Sequence, residues 1–388
     1  MPLIFRRFSA FFALALLAGT VTMLSASPAS AATGTATRIS AGGYSSCAIT
    51  PTKRLKCWGY NAYGQLGIGG DLSEQLKPVL VRNLSNVVQI SVGDYNTCAI
   101  LQGGKLKCWG DNEYGQVGDG TKHERHVPVQ VNGLTSGVVG VSVGYYHTCA
   151  RLQSGKLKCW GDNSNGQIGN GTSGNEYHHP VTVTGIKNAS QISAGYYYTC
   201  ATVKGQALCW GYNEYGKLGD SSTKDRKRPT QVTGLTSGVK RVSAGYYTTC
   251  ALLQGGKLKC WGYNYYGEVG SGSSGNEYHH PVQVVGMTSG VSSVDTDYYF
   301  TCAVKNEHAK CWGDNEYNQF GDGTVNPSDT PVQVYGLTKN VKQIDISFYT
   351  GCALLKSGTE KCWGWNGEGE VGINSTSDQF AKPKTVLL

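Results

Sequence analysis

Fourteen cysteines are the residues in this chain best spaced to do chemistry together. They form seven pairs: Cys47 with Cys57, Cys98 with Cys108, Cys149 with Cys159, Cys200 with Cys209, Cys250 with Cys260, Cys302 with Cys311, and Cys352 with Cys362. Partners are nine or ten positions apart, and successive pairs begin 50 to 52 residues apart. Paired thiols can ligate a metal, act as nucleophiles or oxidise to disulfides. The spacing matches no zinc pattern, and a tryptophan crowds every second cysteine, from Trp58 to Trp363. An even count at regular spacing in an exported chain points to disulfides. Free buried thiols and links between units are the alternatives.

Other reactive groupings are weaker. Gly174-Asn175-Glu176-Tyr177-His178-His179-Pro180 recurs as residues 275–281, with His123 and His126 in the matching loop of another unit. Adjacent histidines on an extended chain point to opposite sides, which is poor for holding one ion. The loop Asp111 to Gly120 lacks the regular oxygen ladder of a calcium site. No acidic position stands out as half of a glycosidase pair. There is no Gly-x-Ser-x-Gly elbow, phosphate-binding Gly-Lys loop or His-Glu-x-x-His. No catalytic residue, metal or cofactor is therefore expected.

The elements that would position these residues follow from the repeat. Arg6-Arg7, the apolar run from Phe11 to Leu24 and Ala29-Ser30-Ala31 read as a secretory signal over residues 1–31. The remaining residues, 32–388, divide into seven units of about 51 and read as one domain. In Val88 to Val131, strands are expected at Gln89–Val92, Thr97–Leu101, Lys105–Trp109 and Val127–Val131, with Pro128 at an edge or a strand start. Four short strands per unit, seven times over, describe a seven-bladed, all-β propeller. Cys200 and Cys209 centre on a two-residue turn at Lys204-Gly205, and Cys98 and Cys108 on a three-residue loop at Gly103. Both lengths place the cysteines directly opposite each other, within disulfide reach. The formal charge of +8 falls to +6 without Arg6 and Arg7. The basic residues are scattered along the chain without the block that marks nucleic-acid binding.

The recurrent Trp-Gly-x-Asn-x-x-Gly-Gln-Leu-Gly, as Trp58 to Gly67 and, with Val or Ile for Leu, Trp109 to Gly118 and Trp160 to Gly169, resembles the regulator-of-chromosome-condensation repeat family. The resemblance covers all seven units. It implies a propeller closed by pairing of strands from the two chain ends, with Lys384 to Leu387 joining the blade of the first cysteine hairpin. The family's histidine before the Cys-Ala-Leu strand survives only as His147-Thr148. With the signal and the paired cysteines, this argues against guanine-nucleotide exchange. A fold analogue, the secreted beta-lactamase inhibitory protein II, implies binding through aromatic loops on one face.

Comparison among the seven copies separates scaffold from variable positions. A tyrosine always stands three residues before the first cysteine (Tyr44 to Tyr349), an asparagine four after the second, and a glycine six beyond that. The asparagines and glycines read as turn-formers, and the tyrosines as packed between blades. Neighbouring aromatics vary, and variable loop aromatics suit recognition. The candidate binding residues are Tyr60, Tyr63, Tyr145, Tyr196, Tyr198, Tyr212, Tyr246, Tyr263, Tyr298, Phe300, Phe348 and Trp365. The expected protein is a secreted or cell-wall-associated monomer. It binds an extracytoplasmic protein, for instance by inhibiting a secreted enzyme such as a beta-lactamase. The alternative is a carbohydrate or cell-wall ligand; nucleic acid and, once the signal is removed, a membrane span are not expected.

Overall fold

Seven four-stranded antiparallel sheets follow one another along the chain, each a meander of four consecutive strands. The computed structural model describes residues 34–70 and 72–388; the signal read at residues 1–31 lies outside them. Blade 1 consists of Arg38–Gly42, Ser45–Ile49, Leu55–Gly59 and Gln75–Leu80. Blades 2 to 7 repeat this over residues 87–130, 138–182, 189–231, 239–283, 291–333 and 341–385. The first strands of all seven blades line a central channel of about 320 Å³.

The expected strands of blade 2 are present, as Val87–Val92, Asn96–Leu101, Leu106–Gly110 and Arg125–Gln130. The fourth begins earlier than expected. Cys108 pairs with Val129, then Gly110 with Arg125, so the ladder skips between them. Pro128, which has no N–H to donate, sits in that skipped stretch of an outermost strand.

All seven cysteine pairs are disulfides within one hairpin. They join Cys47 to Cys57, Cys98 to Cys108, Cys149 to Cys159, Cys200 to Cys209, Cys250 to Cys260, Cys302 to Cys311, and Cys352 to Cys362, each with Cα atoms 4.1 Å apart. Every one of these residues is buried. Cys159, Cys260 and Cys311, like their siblings on the third strands, face a core between blades and present no sulfur to solvent. The cysteines are therefore packing and staple residues, and none belongs to a binding surface. Val203 pairs with Gln206 around Lys204-Gly205, both with positive φ, as the two-residue turn requires.

Blades are joined by side chains. Alternation along the second strand turns Cys98 and Ile100 toward blade 3, where they pack with Val138, Val141 and Trp160. Ala99 points the other way, to a core holding Cys47, Ile49 and Cys57 of blade 1. Each repeat tryptophan is fully buried and donates its Nε1–H to a backbone carbonyl of the preceding blade at 2.8–2.9 Å: Trp109 to Gln65, Trp160 to Gln116, and so on to Trp363 and Gln319. A Cβ at the invariant glycines Gly67, Gly118 or Gly372 would run into the next blade's indole. At these positions the absent side chain matters as much as the turn.

The closure of the ring differs from the family expectation. The C-terminal strand Gln379–Thr385 pairs with Glu360–Trp365 inside blade 7, and blade 1 takes its fourth strand from its own Gln75–Leu80. The chain enters at an innermost strand, so no blade lacks a strand for the other end to supply. Blades 7 and 1 are joined by an indole bond and a side chain-to-backbone bond, as other neighbours are. Trp58 Nε1 donates to Glu370 O at 2.8 Å, and Ala41 N donates to Asp345 Oδ1 at 2.8 Å. One terminal bond, Gly34 N to Leu388 O at 2.9 Å, adds to these.

Candidate functional site

An antiparallel meander puts the turns between first and second strands at the same end as the loops between third and fourth. Every blade therefore offers two loop segments to one face of the ring, and most of these segments carry aromatics. The invariant asparagine holds the longer loop in shape. Asn112 Oδ1 accepts Val117 N at 2.9 Å, and its Nδ2 donates to Thr121 O and His123 O, both at 3.0 Å. Asn213 and Asn315 do the same in their blades.

On this scaffold the rings form a connected layer. Tyr145, Tyr196 and Tyr246 line the channel mouth. Tyr196 and Tyr246 stack with centroids 3.6 Å apart, and Tyr246 reaches Tyr298 at 5.0 Å and Phe348 at 6.3 Å. Around them the invariant tyrosines meet loop tyrosines of the preceding blade: Tyr95 with Tyr63 at 5.1 Å, Tyr146 with Tyr114 at 4.6 Å, Tyr349 with Tyr317 at 4.6 Å. Tyr44, Tyr60, Tyr263 and Trp365 lie in the same layer, partly exposed, and Tyr212, also partly exposed, is tied to it through Lys217, whose Nζ lies over both the Tyr212 and Tyr196 rings. Tyr265, beside Tyr266, is 61 % exposed. Burial among rings pushes the Tyr145 and Tyr299 phenols up, and those of Tyr95 and Tyr247 to about 12. These four phenols are thus neutral across the physiological range.

Two of the sequence candidates do not belong to it. Tyr198 and Phe300 are 0 % exposed. Both open a second strand two residues before a cysteine, so alternation turns them with the cysteine toward the next blade. Tyr198 donates or accepts at Thr249 Oγ1, 2.8 Å away, and packs in the core between blades 4 and 5; Phe300 fills the core between blades 6 and 7. Their variation among blades reflects packing: His147 meets Thr199 Oγ1 at 2.8 Å in the same way. Phe348, 8 % exposed, packs against the rings of Tyr44, Tyr246 and Tyr298 more than it presents a surface.

The invariant tyrosines, read from sequence as inter-blade packing, do bridge blades, but they do so as half-exposed members of the face. Lys217 escaped notice altogether. It stands where four blades carry glutamine, is fully buried, and donates Nζ to Tyr196 O at 3.1 Å and Tyr246 O at 3.2 Å, with the Tyr212 ring at 4.6 Å. Burial lowers its pKa to about 7. Glu268 and Glu370 occupy the same position in blades 5 and 7, and burial raises both to about 8. Asp94, under the channel mouth, is likewise raised to about 7 by burial.

The arrangement offers contact area rather than a reactive group. Among the described residues, the one close grouping of metal-type ligand atoms is Cys352, Glu360 and Cys362, whose two sulfurs are bonded to each other. The duplicated histidines have a packing role: His126, His178 and His279 lie over Gly64, Gly115 and Gly216 of the preceding blades.

Residues 55–100, 104–151, 154–202 and 204–252 match a profile described as "Regulator of chromosome condensation (RCC1) repeat". A second profile of the same description matches 36–65, 87–116, 138–167 and 239–268. The chain belongs to this family. Similar RCC1-repeat proteins include the probable E3 ubiquitin-protein ligase HERC4 of Mus musculus, 31 % identical over 171 residues, or 43 % of this chain and 16 % of the relative. The ultraviolet-B receptor UVR8 of Arabidopsis thaliana is 43 % identical over 122 residues, 31 % of this chain and 28 % of the relative. The chain thus spans well under a third of these relatives' lengths. Among solved structures, human WBSCR16 superposes with a TM-score of 0.78 at 21 % identity, covering 86 % of this chain and 94 % of that one. Yeast RCC1 (Prp20), solved with Kap60, gives 0.75 at 19 %, covering 85 % and 83 %. At these identities the structural likeness concerns the fold.

Proposed function

We propose that this RCC1-repeat propeller is an exported, non-enzymatic binding protein whose aromatic face holds another extracytoplasmic protein. The observation that carries this reading is the connected ring layer at one end of the propeller, centred on Tyr145, Tyr196, Tyr246 and Tyr298. Tyrosine gives broad, stiff contact area with a polar tip and little rotamer entropy to lose, as protein-recognition surfaces require. RCC1-type structures with partners in their descriptions point the same way: one is bound to Kap60, another is described by its binding to Gsp1p and histones. Seven disulfides suit an oxidising compartment. Among the described residues no helix is long and apolar enough to cross a membrane. Inhibition of a secreted enzyme, a beta-lactamase being the concrete case, is the finer version.

The test is capture from culture supernatant on the immobilised protein, identification of what is retained, and affinity measurement with Tyr196→Ala, Tyr246→Ala and Tyr298→Ala. A single tight protein partner weakened by about 2 kcal/mol or more per substitution is the expected result. Retention of soluble glycans instead, or a protein partner indifferent to all three changes, would remove the proposal.

A further inference from the structure

Basic residues that look scattered along the chain are gathered in space. The face opposite the aromatic layer is built from the hairpin turns between second and third strands and the links between blades. Six of the seven hairpins carry an exposed lysine at or beside the turn: Lys53, Lys105, Lys156, Lys204, Lys257 and Lys356. The links and the first residues of inner strands add Lys187, Lys240, Lys339 and Lys342, all exposed. Three arginines, Arg38, Arg151 and Arg241, line the channel at this end.

Carboxylates do the reverse. Of those described, all but Asp295, Glu307, Asp345 and Glu360 fall in the loops, turns and adjoining strand ends of the aromatic face. Asp295 and Asp345 are tied inside the ring, accepting backbone N–H groups of the next blade at 2.8–2.9 Å. Glu360 is buried. Glu307, ion-paired with Lys356, offsets part of the positive charge at the turns, and Asp295 and Asp345 share the channel with the arginines. Repetition explains this: one cation per unit at one register position becomes a ring of cations at one end of the propeller.

The chemistry of the face narrows its partner. The hairpin turns are polar apart from Pro51 and carry no aromatic ring for a base to stack on; the links and inner-strand starts expose only single apolar side chains, Val88, Val139, Val285 and Tyr335, the last lying under the Lys382 ammonium at 4.2 Å. Lysines outnumber arginines, giving hydrated, mobile point charges rather than bidentate forks. We propose that this face docks a flexible linear polyanion that carries neither bases nor acyl chains. The proposal does not rest on the function assigned to the aromatic face, and both faces can be occupied at once.

Long-chain inorganic polyphosphate is the probe, titrated against the full chain between about 50 and 200 mM salt. Binding should weaken steeply, log K falling linearly with log salt as counterions are released. Lys105→Glu, Lys156→Glu and Lys257→Glu together, in exposed turns of stapled hairpins, should cost at least about tenfold at low salt. Lys224→Glu, Lys227→Glu and Arg228→Glu, which make the same change in net charge on the aromatic side, should leave affinity within about twofold. Matched thermal melts confirm that both variants fold. Equal losses in the two variants would reduce the effect to bulk charge and overturn the proposal. So would no polyphosphate binding at low salt, or tighter binding to a single-stranded oligonucleotide or to anionic lipid vesicles.

Discussion

Seven residues past each repeat tryptophan, the side chain answers to one partner. Where aspartate follows the Trp-Gly pair, glutamine stands there: Gln116 donates to Asp111 Oδ2 at 2.7 Å, Gln167 to Asp162 at 2.6 Å, Gln319 to Asp314 at 3.0 Å. Where an aromatic follows, the partner is lost, and the residue becomes Gln65, Lys217, Glu268 or Glu370. Glu268 Oε1 and Glu370 Oε1 are buried with no hydrogen-bond partner. Folding raises both carboxyls from the ordinary 4.5 to about 8. The folded protein therefore binds more protons than the unfolded chain between those values. The stability they contribute is complete below about pH 4.5 and drains away as pH rises through 8. Glu268→Gln with Glu370→Gln restores the residue used by four sibling blades. The variant should melt with wild type near pH 5 and roughly 2 °C or more above it near pH 9, by calorimetry across that range. Lys217 acts in the opposite sense between about 7 and its ordinary 10.5, equally in both proteins, and cancels. This co-variation was readable from seven aligned copies, but its meaning needed the distances.

The hairpin is the element the sequence described best, because cysteine spacing and turn chemistry both set its register. Cys200 opposite Cys209 and the Lys204-Gly205 turn are as the arithmetic requires. What spacing did not reveal was the direction of side chains around it. Counting by twos from the cysteine would have put Tyr198 and Phe300 on the inter-blade side. Variability alone drew attention to them, and variability here records the fit between neighbouring blades. Replacing Cys200 and Cys209 together by alanine should keep the propeller and lower its stability by roughly 2–3 kcal/mol, through release of a ten-residue loop in the unfolded chain. Denaturant midpoints of the oxidised proteins give the comparison.

For the whole molecule, two joints of the ring are built differently from the other five. At most blade boundaries a threonine hydroxyl and the tryptophan indole share one carbonyl: Thr249 Oγ1 and Trp261 Nε1 both donate to Lys217 O, at 2.8 and 2.9 Å. Between blades 6 and 7 Gly351 stands in place of the threonine, so Trp363 alone serves Gln319 O; between blades 7 and 1 Ser46 replaces it, its hydroxyl has no partner, and Trp58 alone serves Glu370 O. Trp58→Phe leaves that buried carbonyl unserved by either side chain, and Trp261→Phe does not. The first should cost about 1–2 kcal/mol more than the second in chemical denaturation. Closure was the part of the fold least legible beforehand. The repeats define blade number, but only the phase at which the chain enters its first blade decides whether its ends share a sheet. Charge distribution was equally hidden, since a cation repeated every 51 residues looks dispersed until the units are set side by side.

Seven of the eight tryptophans are sealed between blades, and the eighth, Trp365, is the exception: it sits half-buried in the aromatic face, 5.6 Å from Tyr317. Nature has thereby fitted the molecule with an optical reporter. Acrylamide should quench Trp365 emission and spare the rest, and a ligand covering that face should protect it, while one docking on the opposite end leaves the signal untouched. The same titration in Trp365→Phe should be silent, which makes intrinsic fluorescence a face-resolved assay requiring no label.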